Sequence, residues 1–278
     1  MTAPNIDVNT VESFADEWKR FRQDQISLAE ARRIFADYFS IFPWEMLTPD
    51  SEGFDMGCGS GRWALIVAPR VGLLHCIDPS GALDVARQTL IGQPNVVFHQ
   101  ASVASSGLKS DSQDFGYCLG VLHHVPDTCA AIRSCAELLK PGAPLLLYLY
   151  YALDNRPLWF RSLWQLTNTL RRLICTLPPR PKQFVTDLIA LCVYLPAARV
   201  AAILDKLGIS VSSLPLSYYR NCSYYTMRTD SRDRFGTPLE QRFTQAQIRQ
   251  MCTNAGLVNL RFSDHAPFWC LVGFKGTM

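Results

Sequence analysis

At 278 residues, with 48% hydrophobic and 18% charged side chains, the chain is long and apolar enough for one large globular domain carrying an insertion. A net charge of +3, with lysines and arginines interleaved among acids and apolar residues, argues against the basic stripe of a nucleic-acid binder. Ten scattered cysteines without a CxxC pair, and no apolar run behind Met1, argue against a disulfide scaffold and a secretory signal; reduced thiols in a cytoplasmic protein are expected.

Residues 1–50 are predicted to be helical. Phe14, Trp18 and Phe21 recur on one helical face, and Ile34, Phe35, Tyr38 and Phe39 continue an aromatic stripe until Pro43 and Pro49 end it. From 51 to 154 the pattern changes to short apolar strands at 53–56, 73–77, 96–98, 115–122 and 145–151, alternating with helices at 62–67, 81–91 and 128–139. Lys140-Pro141-Gly142 stops the last helix and turns the chain into the last of these strands. Such alternation predicts an α/β fold, a parallel sheet with helices on both faces.

Residues 155–240 read as an insertion. Trp159, Leu163, Leu166, Leu170, Leu173 and Leu177 are spaced four and three apart, as on an amphipathic helix. The prolines at 178, 179 and 181 break it, and a second apolar helix follows to Leu207. The uninterrupted apolar run there, 188–195, falls short of the about 20 residues a membrane span needs, so no integral membrane segment is expected. A stretch rich in Tyr and Arg follows at 218–234. The last section, 241–278, reads as a helix at 244–254 capped by Gly256, then strands at 258–262 and 268–274.

The segment with chemical content is Asp55-Met56-Gly57-Cys58-Gly59-Ser60-Gly61-Arg62. A glycine turn between strand and helix lets backbone approach a ligand closely. A dinucleotide fingerprint would need its third glycine where Arg62 stands, which disfavours a nicotinamide oxidoreductase, and the Lys-Ser/Thr of a phosphate loop is absent. The alternate glycines therefore suit a ligand without phosphates, with room for a nucleoside against the bare backbone.

These residues resemble motif I of the class I S-adenosylmethionine-dependent methyltransferases, small-molecule branch. Asp78 at the end of the second strand, Gly120-Val121-Leu122-His123-His124-Val125-Pro126-Asp127 and Leu138-Leu139-Lys140-Pro141-Gly142 are similar to further segments of that family. The resemblance covers 53–150 closely and 244–275 more loosely. It implies a Rossmann-like, seven-stranded, mostly parallel sheet in the order 3-2-1-4-5-7-6, with the insertion as a helical lid. S-adenosylmethionine would lie along Asp55, Gly57, Cys58, Gly59 and Gly61, its ribose on Asp78 beside Pro79, its adenine near Ser102 and Val103, and its sulfonium toward Gly120. Ser102 stands where the family often has an acid.

Methyl transfer needs a base only when the acceptor must lose a proton to attack. His123 and His124 are the first catalytic candidates, then Tyr219; shaping the cofactor site is the alternative role of the two histidines, which alone make no metal site. Tyr151, Asp154, Asn155 and Arg156, past the carboxyl end of the fifth strand, are expected to bind substrate, together with Tyr218 and Arg220. The partner implied is a small-molecule acceptor with an oxygen or nitrogen nucleophile. A lipophilic quinone or lipid acceptor, or a protein that binds S-adenosylmethionine and transfers nothing, are the alternatives. The oligomeric state stays open.

Overall fold

Strand pairing follows from the apolar runs. The computed structural model describes residues 5–211 and 213–277. Strands β1 (Glu52–Met56), β2 (Leu73–Ile77), β3 (Val96–His99), β4 (Phe115–Leu119), β5 (Pro144–Tyr148), β6 (Leu257–Phe262) and β7 (Cys270–Lys275) form one seven-stranded sheet in the order β3-β2-β1-β4-β5-β7-β6. The first five are parallel; β7 runs antiparallel to both β5 and β6. This is the expected class I sheet. Because the order reverses between β1 and β4, a crevice opens at their carboxyl ends, where ligands of open α/β sheets bind.

Every residue of β4 is buried, as a strand covered on both faces requires. Alternation sends Phe115, Tyr117 and Leu119 into one core and Cys118 into the other. Helices α5 (Thr128–Leu138) and α10 (Gln245–Asn254) close the Cys118 side through Ile132 and Ile248. On the opposite side Phe35 and Phe39 pack with Ala64 of α3 (Ala64–Val67) and Ala86 of α4 (Leu83–Thr89). A capping box of Thr244 and Gln247 starts α10, which satisfies backbone donors that the helix itself cannot.

Two strands are shorter than their apolar runs suggest. Gly120 adopts φ +79°, which turns the chain out of β4 after Leu119 instead of continuing to 122. β5 ends at Tyr148, although Tyr151 still makes an isolated bridge to Phe243.

The chain divides into two compact units, residues 1–22, 34–152 and 239–278, and residues 23–33 with 153–238. The first unit holds the sheet and helix α1 (Val8–Arg20); α2 (Leu28–Phe39) is shared between the two. The second unit is helical. It contains α6 (Leu158–Ile174), α7 (Pro179–Ile189), α8 (Leu195–Lys206) and α9 (Tyr224–Gly236), with Tyr194, Ala198, Met227 and Phe235 at its centre.

The break before α7 falls where the prolines put it, since Pro179 opens that helix at a position that needs no N–H. Pro196 breaks nothing. It follows a π-helical turn, Ala190–Tyr194, where the ladder has already left α register, and Pro179–Lys206 runs as one helix of 28 residues. By length and composition this helix could cross a membrane, which the shorter run 188–195 did not reveal. The 218–234 stretch is also more ordered than its composition suggests: α9 buries Met227, Ser231 and Arg232 almost completely.

Candidate active site

The turn after β1 is built on three left-handed residues. Gly57, Gly59 and Gly61 have φ of +77°, +52° and +76°, a region that costs other residues roughly 1–2 kcal/mol each. The Gly57 and Cys58 N–H groups both donate to the Ile77 carbonyl, at 2.7 and 3.1 Å, which ties the turn to the end of β2. Part of the bare space is used by the protein itself. A Cβ on Gly57 would lie 2.4 Å from a Val121 methyl, and one on Gly59 would lie 3.0 Å from the indole nitrogen of Trp18. The glycines therefore serve packing as well as ligand access, which corrects the view that the gap is kept for a ligand alone.

Two buried acids flank the turn. Asp55 is the next-to-last residue of β1, and burial raises its pKa to about 8, with the charge of Asp78 pushing the same way and Tyr117 and Arg62 opposing. Its Oδ2 is buried without a hydrogen-bond partner, as is the Ser60 hydroxyl. Asp78 is held differently. Its Oδ2 accepts the Gly59 N–H at 3.0 Å, and its Oδ1 accepts the Ser80 N–H at 2.9 Å and hydroxyl at 2.6 Å. Burial still raises its pKa. Ser102 and Val103, both buried, follow β3, where the Ser102 hydroxyl lies 3.0 Å from that of Ser105.

Beyond β4, the Gly120 N–H donates to the Tyr148 carbonyl at 3.1 Å, and the chain forms a 3-10 turn carrying His123 and His124. The His123 Nδ1 accepts the Tyr150 N–H at 3.3 Å, which assigns the ring proton to Nε2. Burial, His124 and Arg242 drive its pKa well below 6.5, so it is a neutral donor. It stacks on Tyr150 with ring centres 3.8 Å apart, and its Nε2 is buried without a hydrogen-bond partner. In His124 the Nδ1 lies 2.6 Å from the Leu239 carbonyl and must donate to it, so that in the neutral ring the lone pair is on Nε2.

Helix α1 runs along these same loops. Asn5 exchanges two hydrogen bonds with the Asp127 backbone, the Thr10 hydroxyl accepts the Leu239 N–H at 3.1 Å, Phe14 meets His124 edge-on and Trp18 lies on Gly59. Arg62, the residue that breaks the dinucleotide pattern, sits over the Trp18 and Trp63 rings at 5.6 and 4.3 Å.

The first unit contains Asp55, the three glycines, Cys58, Asp78, Pro79, Ser102, Val103, Gly120, His123, His124 and Tyr151, of which Gly59 and Asp78 are joined directly and Tyr151 packs instead against Phe268 and Trp269. The other expected site residues belong to the second unit. Asp154 and Asn155 are exposed, and Arg156 covers the Phe160 ring at 5.3 Å. Arg220 pairs with Asp205 at 3.1 Å, and Tyr218 packs edge-on against Tyr219. Burial and the neighbouring Asp230 carboxylate hold the Tyr219 phenol well above its usual pKa of 10.0, which makes it a donor to Asp230 and unsuited to the base role expected of it. Phe14, Trp18 and Tyr150 were not legible as site residues, because their spacing is that of ordinary core packing.

Residues 54–147 match a family model described as a methyltransferase domain. Over 95 residues the chain is 37% identical to the ubiquinone biosynthesis O-methyltransferase of Alkalilimnicola ehrlichii, covering 33% of this chain and 38% of that protein. It is 28% identical to the protein of the same name from Hahella chejuensis over 144 residues, covering 51% and 60%. The chain thus spans less than two thirds of the curated relatives it matches. Among solved structures, a Thermotoga maritima protein described as an S-adenosylmethionine-dependent methyltransferase, possible histamine N-methyltransferase, shares the fold over 96% of this chain and 99% of its own, with a TM-score of 0.50 at 13% identity.

Proposed function

We propose that this chain, whose residues 54–147 form a methyltransferase domain on the class I, S-adenosylmethionine-dependent fold, methylates a hydroxyl of a small molecule. The observation that carries the reading is the junction of turn and acid: a glycine turn whose middle N–H is bound to Asp78, with a second buried carboxyl, Asp55, two residues before it. The names of the curated relatives support oxygen as the acceptor atom.

The residues present fit the donor. Asp78 accepts one hydrogen bond at Oδ2 from Gly59 and two at Oδ1 from Ser80, which leaves about one acceptor site, on Oδ2, for a ribose hydroxyl. The unpartnered Asp55 Oδ2 and Ser60 hydroxyl are buried polar atoms that a bound cationic nucleoside would satisfy. Bound S-adenosylmethionine supplies an electrophilic methyl group on a sulfonium. The protein's share is alignment, which accounts for several kcal/mol in well-oriented reactions. His123, neutral with an unpartnered proton on Nε2, is a donor that a bound ligand could use. His124, oriented by the Leu239 carbonyl, has its lone pair on Nε2 when neutral and in that form is the residue to accept the acceptor hydroxyl's proton.

The test is an incubation of the full chain with the donor and a panel of phenols, catechols and aliphatic alcohols, followed for S-adenosylhomocysteine. Release with at least one hydroxyl compound, and none with its methyl ether, is expected. Donor uptake without release across the panel would leave a binding protein and reject the transferase reading.

A further inference from the structure

The second unit leaves much apolar surface uncovered. On α6, Phe160, Trp164, Arg171 and Ile174 are buried or half-buried against the rest of the unit. A separate line of Trp159, Leu163, Leu166, Leu170 and Leu173 is 43–65% exposed. Its four-three spacing places it on one side of the helix, while the exposed Arg161 and Arg172 lie on another. The α7–α8 rod does the same: only 22% of its most apolar window is buried, and Phe184, Ile203 and Leu207 are 60–69% exposed. Contiguous apolar surface on this scale marks an interaction site.

Charge says what covers it. Residues 155–209 hold eight lysines and arginines against two aspartates, a net +6 in a chain whose total is +3, and with Arg171 and Lys182 buried six of those cations reach the surface. Both aspartates are already committed, Asp187 to Arg228 at 2.9 Å and Asp205 to Arg220 at 3.1 Å. A second copy docked through the same stripe would bring two strongly positive surfaces together, whereas an anionic surface attracts them.

The α7–α8 rod also has one side fixed to protein. Arg228 grips Asp187 with two hydrogen bonds, Ser231 donates to the Thr186 carbonyl at 2.8 Å, and Tyr194 and Ala198 share a core with Met227 and Phe235. A helix so bound to α9 lies along a bilayer more readily than through it, because spanning would take the polar α9 into hydrocarbon or strip these bonds.

We propose that the second unit seats on an anionic lipid bilayer, with the α6 stripe in the boundary between headgroups and acyl chains and its arginines among the phosphates. This goes beyond the methyltransferase reading and stands or falls separately from it.

The experiment is flotation of the full chain with vesicles of phosphatidylethanolamine containing about a quarter phosphatidylglycerol, and with phosphatidylcholine vesicles. Wild type should bind the anionic vesicles and bind neutral ones at least roughly fivefold less. Leu166→Glu with Leu170→Glu, and separately Arg161→Glu with Arg172→Glu, should each weaken binding roughly tenfold or more, as should about 0.5 M salt. All these positions are exposed, and the arginine pair carries the test should the leucine pair fold poorly. Absence of binding to anionic vesicles, equal binding to both kinds, or a solution dimer that the leucine pair converts to monomer would each overturn the proposal. Donor titration on the same preparation reports the first unit independently.

Discussion

The Gly59 N–H donates to the Asp78 carboxylate across 3.0 Å, joining the tip of the turn after β1 to the end of β2. One acid therefore does two things: it fixes the left-handed turn and, with three acceptor sites used by Gly59 and Ser80, keeps about one on Oδ2 for a ligand.

Asp78→Ala removes the acceptor of three hydrogen bonds and leaves buried N–H groups at Gly59 and Ser80 unsatisfied. A stability loss of about 2–3 kcal/mol is expected by thermal or denaturant unfolding, together with a roughly 10–100-fold weaker affinity for S-adenosylmethionine. Asp78→Asn, which keeps one oxygen, should fall between. Unchanged donor affinity in the alanine variant would remove Asp78 from the site.

Gly59→Ala meets two obstacles, the φ of +52° and the Trp18 indole at 3.0 Å. The expected cost is about 1–2 kcal/mol in urea unfolding. In a Trp18→Ala background the backbone part stays and the contact part goes, so the cost should drop by about 0.5 kcal/mol or more. Equal costs in the two backgrounds would mean that Trp18 yields freely and is no part of the turn's packing.

The pH dependence has two opposite components. Folded Asp55 keeps its proton to about pH 8 while the unfolded chain loses it near 3.8, so the folded state binds more protons between these values. That contribution is full at acid pH and is lost as pH rises toward 8. Asp55→Asn should therefore stabilise the ligand-free protein most at and above pH 8, and least near pH 4. His123 and His99 work the other way. Burial lowers both below 6.5, with His75 adding to the effect on His99, so the unfolded chain binds more protons and stability falls as pH drops through 6.5. Melting curves of wild type and Asp55→Asn across this range check both signs; a difference that is constant with pH would contradict the buried, protonated Asp55.

His124→Ala should lower turnover of a hydroxyl acceptor by roughly 100-fold or more at neutral pH, with donor affinity within about twofold of wild type. The deficit should shrink at alkaline pH for a phenolic acceptor, whose own ionisation replaces the base. A pH-independent deficit would assign His124 to packing of the site instead.

The sheet was legible because each buried strand is a short apolar run bounded by turn residues, and the acid-turn-acid arrangement was legible because Asp55, Gly57 to Gly61 and Asp78 are local to two strand ends. What escaped depends on distance or on three-dimensional closure. Trp18 and Gly59 touch only after α1 folds onto the sheet, and the histidine tautomers are set by Tyr150 and by Leu239, a partner 115 positions away from His124. Apolar continuity also overstated β4 through Val121 and Leu122, where a single left-handed glycine overrides strand propensity. The second helix of the insertion does run through Pro196 toward Leu207, as its apolar pattern suggested, because the preceding π turn has already left α register. Arg232, buried to 1% within α9, could not be foreseen from a charge pattern that reads as solvated surface.

Calorimetric titration of the full chain with S-adenosylmethionine tests the central claim most directly. One donor per chain is predicted, with binding weakened by Asp78→Ala and, near pH 7, accompanied by proton release as Asp55 ionises beside a cation, seen as a dependence of the heat on buffer. No uptake of the donor or of S-adenosylhomocysteine by the folded wild-type protein would contradict it.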